Sequence, residues 1–415
     1  MTDAQSPRLA ALEARLAAHD GGALSEFWAE LEEGGTPLVE PADDEGSRLV
    51  TLVLRMGADD ARFVARLGLA GLDPDDRRLR RLVGTDVSYR TYVAPHDLRT
   101  IYAFAPTDDP DTGELLQDPL SRRPYVYPVD EEDPNDHEVH VSLVELPGAP
   151  KPVWSQPTRA LAGTIEVHRF QSAQLDGERR IFVYVPPGYG EAAAPYPLLI
   201  LFDGWAFTRI VSAPTALDNL IHAGVIPPVV AIMPDSPDLP ARVRDLRLYP
   251  PFNAFMADEL LPWARSQWRL TSDPSLVVVA GSSLGGLAAA YFAMERPDLA
   301  GSVLSMSGAF QVSPDNDPEP VWMGRELARR TREPIRFWCD AGVLERFAFP
   351  ADVSLRDANR HVRDVLRARG YEVSYREFPG GHDYFWWIES LGEGLISLLG
   401  DHARGSTQEA TLAPG

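Results

Sequence analysis

Apolar runs of strand length alternate with longer amphipathic stretches through the second half of the chain. Runs such as "LLILFDG", "VVAIMPD", "LVVVAGSS" and "RFWCDAG" end in Gly, Asp or Ser, and stretches such as "NAFMADELLPWARSQW" separate them. Strands that are apolar throughout are buried on both faces, which is typical of a parallel sheet covered by helices. From about residue 163 the sequence therefore predicts an α/β fold with a mostly parallel, doubly wound sheet.

The first half of the chain has a different pattern of apolar residues. Residues 7–33 carry apolar positions at helical spacing, which predicts two short helices. Residues 48–104 contain short alternating runs between Gly, Pro and Asp clusters, which is typical of a small antiparallel β-sandwich. Residues 105–160 are rich in Pro and Asp and are expected to form a connector. We therefore predict an N-terminal domain over 1–150, a catalytic domain over 160–402 and a disordered tail over 403–415.

Charge and composition exclude several classes of function. The 415 residues include 39 basic and 61 acidic side chains, and a net charge of −22 argues against binding to nucleic acid or to an anionic membrane. A small-molecule substrate is the partner we expect. No apolar run could cross a bilayer, and no signal-peptide pattern opens the chain, so we expect a cytoplasmic protein. The single cysteine, Cys339, cannot form an internal disulfide and is expected to be buried.

The stretch "VVVAGSSLGGLAAAYFA" carries the strongest chemical signal. It contains G-x-S-x-G between a strand-like and a helix-like segment, the context in which a serine nucleophile sits on a sharp turn. On that frame Ser283 is the nucleophile and Ser282 is a small spacer. The backbone N–H of Leu284, at the start of the helix, is a predicted donor to the developing oxyanion.

A serine hydroxyl needs a base, and the base needs an acid that orients it. His382, in "FPGGHDYFWW", follows a strand and a Gly pair and is the predicted general base. The acid should follow the preceding strand, and in "RFWCDAGVLERF" we favour Glu345, which lies beyond the strand end, over Asp340. Asp352 and Asp357 stay open as further alternatives.

A second oxyanion donor should come from the loop after an earlier strand, which is "LLILFDGWAF". The candidate donors are the backbone N–H groups of Gly204 and Trp205, and Asp203 is expected to order this loop. The arrangement describes a serine esterase that needs neither a metal nor an organic cofactor.

With these residues placed, the chain resembles the enterochelin (enterobactin) esterases, an esterase-D-like branch of the α/β-hydrolases. The shared segments include "LLILFDGWAF", "VVVAGSSLGGLAAAYFAMERPDLAGSVLSMSGAF", "CDAGVLERF" and "EFPGGHDYFWW" in the second half. In the first half they include "FWAELEEGGTPLVEP", "LVGTDVSYRTYV" and "DPLSRRPYVYP". The resemblance implies an α/β-hydrolase fold preceded by a small β-sandwich-like domain, and it carries the family's triad onto Ser283, His382 and Glu345.

Members of that family hydrolyse ferric tris-catecholate trilactone siderophores, so the resemblance implies a trianionic substrate that needs a basic cradle. The first candidates for this cradle follow the "IMPD" run: Arg242, Arg244 and Arg247. Arg122 and Arg123 are further candidates. The alternative is that these arginines only neutralise neighbouring acids such as Asp245.

Three tryptophans, Trp205, Trp386 and Trp387, are candidates for stacking on catechol rings, although the last two could equally belong to the core. Two other functions stay open. One is an esterase or acyltransferase acting on a feruloyl-type or biosynthetic acyl ester. The other is an inactive protein that only binds a siderophore. The sequence predicts nothing about the oligomeric state.

Overall fold

The protein is described by a computed structural model over residues 6–57, 63–68, 77–106, 114–191, 194–346 and 353–411, with side chains as far as residue 402. The strands of the first half are β1 Leu38–Pro41, β2 Ser47–Arg55, β3 Phe63–Arg66, β4 Arg80–Arg81, β5 Val87–Pro95, β6 Arg99–Pro106, β7 Pro124–Tyr127 and β8 Val139–Glu145. Those of the second half are β9 Thr164–Ser172, β10 Gly177–Val185, β11 Leu198–Leu201, β12 Val230–Asp235, β13 Val277–Ser282, β14 Ser302–Met306, β15 Arg336–Gly342 and β16 Glu372–Phe378.

The helices follow the same division. Before the first strand lie α1 Pro7–Ala17 and α2 Ala23–Gly34. The second half contains α3 Gly204–Arg209, α4 Ala213–His222, α5 Leu239–Leu246, α6 Pro250–Ala254, a π-helical segment Phe255–Leu260, α7 Leu261–Gln267, a 3₁₀ turn Pro274–Leu276, α8 Leu284–Glu295, α9 Trp322–Arg329, α10 Leu355–Ala368 and α11 Tyr384–Thr411. The backbone of α11 thus continues into the segment from residue 403 that was expected to be disordered.

The described residues of the first half form two four-stranded sheets, with strand orders β1-β2-β5-β4 and β3-β6-β8-β7. Alternate residues of β2, Val50, Leu52 and Leu54, point to the same side and pack against Tyr102 and Phe104 of β6. The expected sandwich core therefore lies between the sheets. The Pro- and Asp-rich stretch, expected to be a connector, in fact supplies β7 and β8, which pair with each other and with β6.

The outer face of the first sheet is covered by the two leading helices. Val53 of β2 and Val87 of β5 form a cluster with Leu9 of α1 and with Trp28 and Leu31 of α2. These helices carry apolar residues on one side because the sheet buries that side, as the helical spacing predicts.

The second half is built on an eight-stranded sheet with the order β16-β15-β14-β13-β11-β12-β10-β9. The strands from β16 to β12 are parallel, whereas β10 runs antiparallel to both β12 and β9. The fold is therefore the predicted α/β-hydrolase type, a mostly parallel sheet with its antiparallel strand near one edge.

The central strand β13 is buried on both faces. Val277 and Val279 belong to the core beneath α5 to α10, while Val278 and Ala280 belong to the core beneath α3, α4 and α11. This two-sided burial explains why the strand sequence is continuously apolar. Because β13 to β16 are parallel, their carboxyl ends lie at the same edge of the sheet, and the loops that follow these strands begin there.

Candidate active site

Ser283 occupies the single-residue turn between β13 and α8. Its backbone has φ 56° and ψ −119°, a conformation that costs a non-glycine residue energy and that is typical of a serine nucleophile turn. Two backbone hydrogen bonds hold it: its N–H donates to Met306 O at 2.9 Å, and its carbonyl accepts from Ala309 N at 2.8 Å. The turn is thus fixed to the last residue of the neighbouring strand β14 and to the loop after it.

Small residues make this turn sterically possible. A Cβ atom on Gly281 would lie 2.6 Å from the backbone carbon of Gly285, and one on Gly286 would lie 2.6 Å from Ser305 Oγ. Ser282 is 1% exposed and belongs to β13. The structure therefore places Ser282 inside the sheet, where it acts as a spacer, and leaves Ser283 half-buried at the turn.

His382 and Glu345 are brought together from two neighbouring strands. His382 follows β16, Glu345 follows β15, and His382 Nδ1 lies 2.8 Å from Glu345 Oε1. The second carboxylate oxygen of Glu345 accepts a hydrogen bond from Gly342 N at 2.8 Å, and the side chain is fully buried. A buried carboxylate with both oxygens occupied holds the imidazole in one orientation and keeps the proton on Nδ1.

A tryptophan connects the histidine to the serine turn. The ring of Trp387 packs edge-on against the His382 ring with centroids 4.9 Å apart, and its Nε1 donates to Ser307 Oγ at 3.1 Å. Ser307 directly follows Met306, whose carbonyl binds Ser283 N. The three predicted triad residues therefore follow strands β13, β15 and β16 at the carboxyl edge of one sheet.

The alternative acids lie elsewhere. Asp340 is fully buried within β15, where it accepts hydrogen bonds from Ser307 N at 3.1 Å and from the Ser390 hydroxyl. Burial raises the pKa of this carboxyl to about 7. Asp357 accepts the hydroxyl hydrogen bond of Ser354 near the start of α10. Asp352 lies outside the described residues. Of the described candidates, Glu345 is the one in contact with the histidine.

The predicted oxyanion donors differ in whether their N–H groups are already hydrogen-bonded. Leu284 begins α8, so its N–H is among the helix N-terminal groups that have no partner within the helix. The N–H of Trp205, by contrast, donates to Asp235 Oδ1 at 3.0 Å. This donor is therefore occupied, which corrects the expectation for Trp205 and favours Gly204, the first residue of α3, as the second donor.

Arg242 is anchored to the loop that carries Gly204. Its Nε and Nη2 atoms donate to the two oxygens of Asp203 at 2.7 and 2.8 Å. Asp203 is nearly buried and adopts a left-handed conformation with φ 62°. The pairing fixes the strained turn at Asp203, and because Arg242 also lines a cleft with Trp205, its contact with substrate stays a prediction.

The other candidate arginines are also paired. Arg244 donates to Asp245 Oδ1 at 2.6 Å, and Arg247 lies 3.1 Å from Asp315. Arg123 pairs with Glu145, and Arg122 donates to the carbonyl oxygens of residues 32 and 33 at the end of α2. The neutralising role that was left open for these arginines is the one that their contacts support.

The tryptophans divide between surface and core. Trp205 is half-buried and lines an open cleft. Trp386 is 3% exposed, stacks on Phe378, and donates its Nε1 hydrogen bond to Arg99 O at 2.8 Å. Its burial by the N-terminal half contradicts the expectation that Trp386 binds substrate.

The cleft has a volume of about 310 Å³ and is lined by residues from both halves of the chain, including Trp205 of α3 and Tyr384, two positions after His382. Its acidic lining residues are Asp130, Asp133, Asp136, Asp203, Asp235 and Asp238. Within the described part of the chain the lining contains one arginine, Arg242, which is already paired with Asp203. Burial raises the pKa of Asp235 to about 6. The lining of this cleft is thus mostly acidic, where a basic cradle was expected, although Asp130 and Asp235 are paired with Arg180.

Sequence reasoning missed the contribution of the N-terminal half to this site. The hydroxyl of Thr100, in β6, donates to Asp383 Oδ2 at 2.9 Å, and Asp383 directly follows His382. The sequence offers no signal for this contact, because the two residues are 283 positions apart.

Over the described ranges, no group of three or more His, Cys, Asp or Glu side chains is arranged to hold a metal ion. None of the helices described for this chain has the length and apolar character needed to cross a bilayer. Cys339 is buried in β15, as expected, and burial raises the pKa of its thiol.

Comparison with known proteins agrees with the fold. Residues 172–398, more than half of the chain, match the model of the Esterase family. An iron(III) enterobactin esterase of Dickeya dadantii is 31% identical over an alignment that covers 92% of this chain and 95% of that protein. The chain therefore belongs to the esterase family and, within it, to the enterochelin (enterobactin) esterases.

Solved structures extend the similarity to both halves of the chain. The crystal structure of an enterochelin esterase from Shigella flexneri covers 90% of this chain and 97% of its own, with a TM-score of 0.67 and 25% identity. A ferric enterobactin esterase from Salmonella typhimurium, at 24% identity, shares the fold with a TM-score of 0.72 over 90% of this chain and 98% of its own.

Proposed function

We propose that this protein is a serine carboxylic-ester hydrolase that cleaves the lactone esters of a ferric catecholate siderophore and so releases the iron. The observation that carries the proposal is the 2.8 Å contact between His382 Nδ1 and Glu345 Oε1 at the sheet edge where Ser283 forms its strained turn. The substrate class is supported by the relatives, which include the iron(III) enterobactin esterase of Dickeya dadantii.

The chemistry runs through an acyl-enzyme. Because Glu345 accepts a hydrogen bond from the protonated Nδ1, Nε2 of His382 carries the lone pair that takes the proton of Ser283 as its Oγ attacks the lactone carbonyl. The backbone N–H groups of Leu284 and Gly204 stabilise the oxyanion. The ester C–O bond then breaks, and His382 returns the proton to the leaving alcohol. Water activated by His382 attacks the acyl-enzyme, releases the acid and regenerates Ser283.

The first test separates Ser283 from its neighbour. Ser283→Ala should lower the turnover of a catecholate trilactone by roughly 10³-fold or more, while binding of the ferric trilactone, followed by tryptophan fluorescence, is retained. Ser282→Ala is the matched control, since Ser282 is buried inside β13 and should leave turnover within a small factor. Near wild-type hydrolysis by Ser283→Ala would show that the nucleophile is another residue.

A second candidate, hydrolysis of a less anionic ester such as a feruloyl-type or biosynthetic acyl conjugate, is favoured by the acidic cleft. Chromatography of products from ferric trilactone, iron-free trilactone and a simple aryl ester separates the candidates. Activity on the aryl ester alone would support the second. Labelling of Ser283 by a fluorophosphonate would exclude an inactive binding protein. We further propose that the enzyme acts in the cytoplasm, which cell fractionation tests.

A further inference from the structure

The loop that carries His382 is held by the N-terminal half of the chain. This loop, Pro379–Asp383, follows β16 of the large sheet, yet its contacts reach β6 of the small sandwich. The backbone N–H of Arg99 donates to Pro379 O at 3.0 Å, and the Thr100 hydroxyl donates to Asp383 Oδ2 at 2.9 Å. The first and last residues of the loop are thus fixed by two adjacent residues of one strand.

The contact between Thr100 and Asp383 is buried, and both carboxylate oxygens of Asp383 accept hydrogen bonds. Thr100 is fully buried and Asp383 is 2% exposed. The second oxygen of Asp383 accepts from Phe385 N at 3.1 Å, which fixes the loop to the first turn of α11. The Asp383 carboxylate thus connects β6 to the start of α11. Because His382 directly precedes Asp383, these two contacts also restrain His382.

The glycines of the loop show how closely the two halves approach. A Cβ atom on Gly380 would lie 2.8 Å from Arg99 O, and one on Gly381 would lie 2.9 Å from both Gly68 Cα and Thr100 Oγ1. Only backbone without a side chain fits against β6 and its neighbouring turn. The Gly pair before His382 therefore permits direct packing on the N-terminal half.

The loop after β15, which carries Glu345, also contacts the N-terminal sandwich. Leu344, which precedes Glu345, packs on the core of the N-terminal sandwich, and its N–H donates to Gly380 O at 3.0 Å. The base loop and the acid loop are therefore fastened to each other, and both rest on the sandwich.

We propose that Thr100 is a positioning residue, which acts through Asp383 to hold His382 in register with Ser283, and that the N-terminal sandwich is part of the catalytic framework. The proposal rests on the proposed function, since His382 is the base there. A hydrogen bond that only stabilised the fold would affect unfolding without affecting the chemical step. A positioning bond affects the chemical step, because small displacements of a base slow proton transfer.

The test uses Thr100→Val in the full chain, with Thr100→Ser as the rescue variant. Thr51→Val is the matched control, because Thr51 is equally buried in the sandwich and its hydroxyl contacts Thr91 Oγ1 at 2.9 Å. We expect Thr100→Val to lower kcat for ester hydrolysis by roughly 10- to 100-fold with KM little changed, and Thr100→Ser to restore most of it. Thr51→Val should keep wild-type kcat.

A second readout does not depend on turnover. Amide hydrogen exchange of the segment 379–387 should be faster in Thr100→Val than in wild type or Thr51→Val. If Thr100→Val fails to fold, Asp383→Ala against Asp383→Asn replaces it, since only Asn can still bind both Thr100 and the Phe385 N–H. Unchanged kcat and exchange in the folded variants, or an equal loss in Thr51→Val, would overturn the proposal.

The two proposals can fail separately. If wild type neither hydrolyses esters nor is labelled at Ser283 by a fluorophosphonate, the proposed function fails, and hydrogen exchange still decides whether Thr100 holds the loop. If wild type is active and Thr100→Val matches it in kcat and exchange, only the positioning role fails.

Discussion

His382 Nδ1 and Glu345 Oε1 lie 2.8 Å apart, and the remaining oxygen of that carboxylate is occupied by Gly342 N. Neither oxygen is left to solvent, since Glu345 is fully buried. The pair therefore fixes both the position of the imidazole and the nitrogen that carries its proton.

Replacing Glu345 by Gln preserves the volume but removes the charge that stabilises the imidazolium. We expect Glu345→Gln to lower kcat by roughly 10²- to 10⁴-fold, with KM changed little. Steady-state hydrolysis of an aryl ester measures this, with Asp357→Asn as a control at an exposed carboxylate. If Glu345→Gln stays active and Asp352→Asn does not, the acid is Asp352.

Arg242 and Arg244 are neighbours on α5 with different expected effects. Arg242→Ala leaves Asp203 nearly buried and unpaired, so we expect it to lower the free energy of unfolding by about 3 kcal/mol and to reduce kcat by displacing Gly204, the proposed oxyanion donor that follows Asp203. Arg244→Ala removes a half-exposed side chain and should cost less than about 1 kcal/mol. Urea unfolding and ester kinetics measure both. Equal losses would contradict the structural role of Arg242.

Gly286 lies in α8 against the loop after β14. Because a Cβ atom there would lie 2.6 Å from Ser305 Oγ and 3.0 Å from Gly308 Cα, Gly286→Ala should destabilise the fold by roughly 1 to 3 kcal/mol. Gly34, at the end of α2, has open space around its Cβ position and serves as the control. Gly34→Ala should be neutral or slightly stabilising in thermal unfolding. A loss as large as that of Gly286→Ala would show that contact distance is not the cause.

Asp340 predicts a pH dependence of stability. Burial raises its pKa from 3.8 to about 7, although Arg376, 3.6 Å away, acts in the opposite direction and the Glu345 carboxylate adds to the rise. The folded protein therefore binds a proton here that the unfolded chain loses above about pH 4. This contribution is complete below that pH and is lost as the pH rises through 7.

The difference in unfolding free energy between wild type and Asp340→Asn isolates this effect, since all other carboxylates are shared. Wild type should become less stable relative to Asp340→Asn as the pH rises from 5 to 8, which urea unfolding at each pH measures. A difference that does not change with pH would mean that Asp340 is ionised throughout.

The parts of the site that were predicted from sequence are those set by local order along the chain. The turn at Ser283 follows from a strand, a turn and a helix that are contiguous, and the loops of the proposed acid Glu345 and base His382 follow from the order of the next strands. The occupied N–H of Trp205 could not be predicted, because its acceptor Asp235 is 30 residues away. The burial of Trp386 depends on Arg99, 287 residues away.

The same reason explains the differences in the fold. Strands β7 and β8 lie in a segment rich in Pro and Asp. They form because β8 pairs with the edge of β6 and β7 pairs with β8, and this edge exists only in the folded sandwich. The eight-stranded sheet was easier to predict, since continuous apolar runs identify strands that are buried on both faces.

The six carboxylates around the cleft also affect how fast substrate arrives. A ferric trilactone with three negative charges meets a protein of net charge −22 whose cleft is lined by six carboxyl groups, so encounter is slowed by repulsion that dissolved ions screen. Added salt should therefore increase kcat/KM for the iron-loaded substrate and change it less for the iron-free one. Ionic strength would thus favour the iron-loaded substrate.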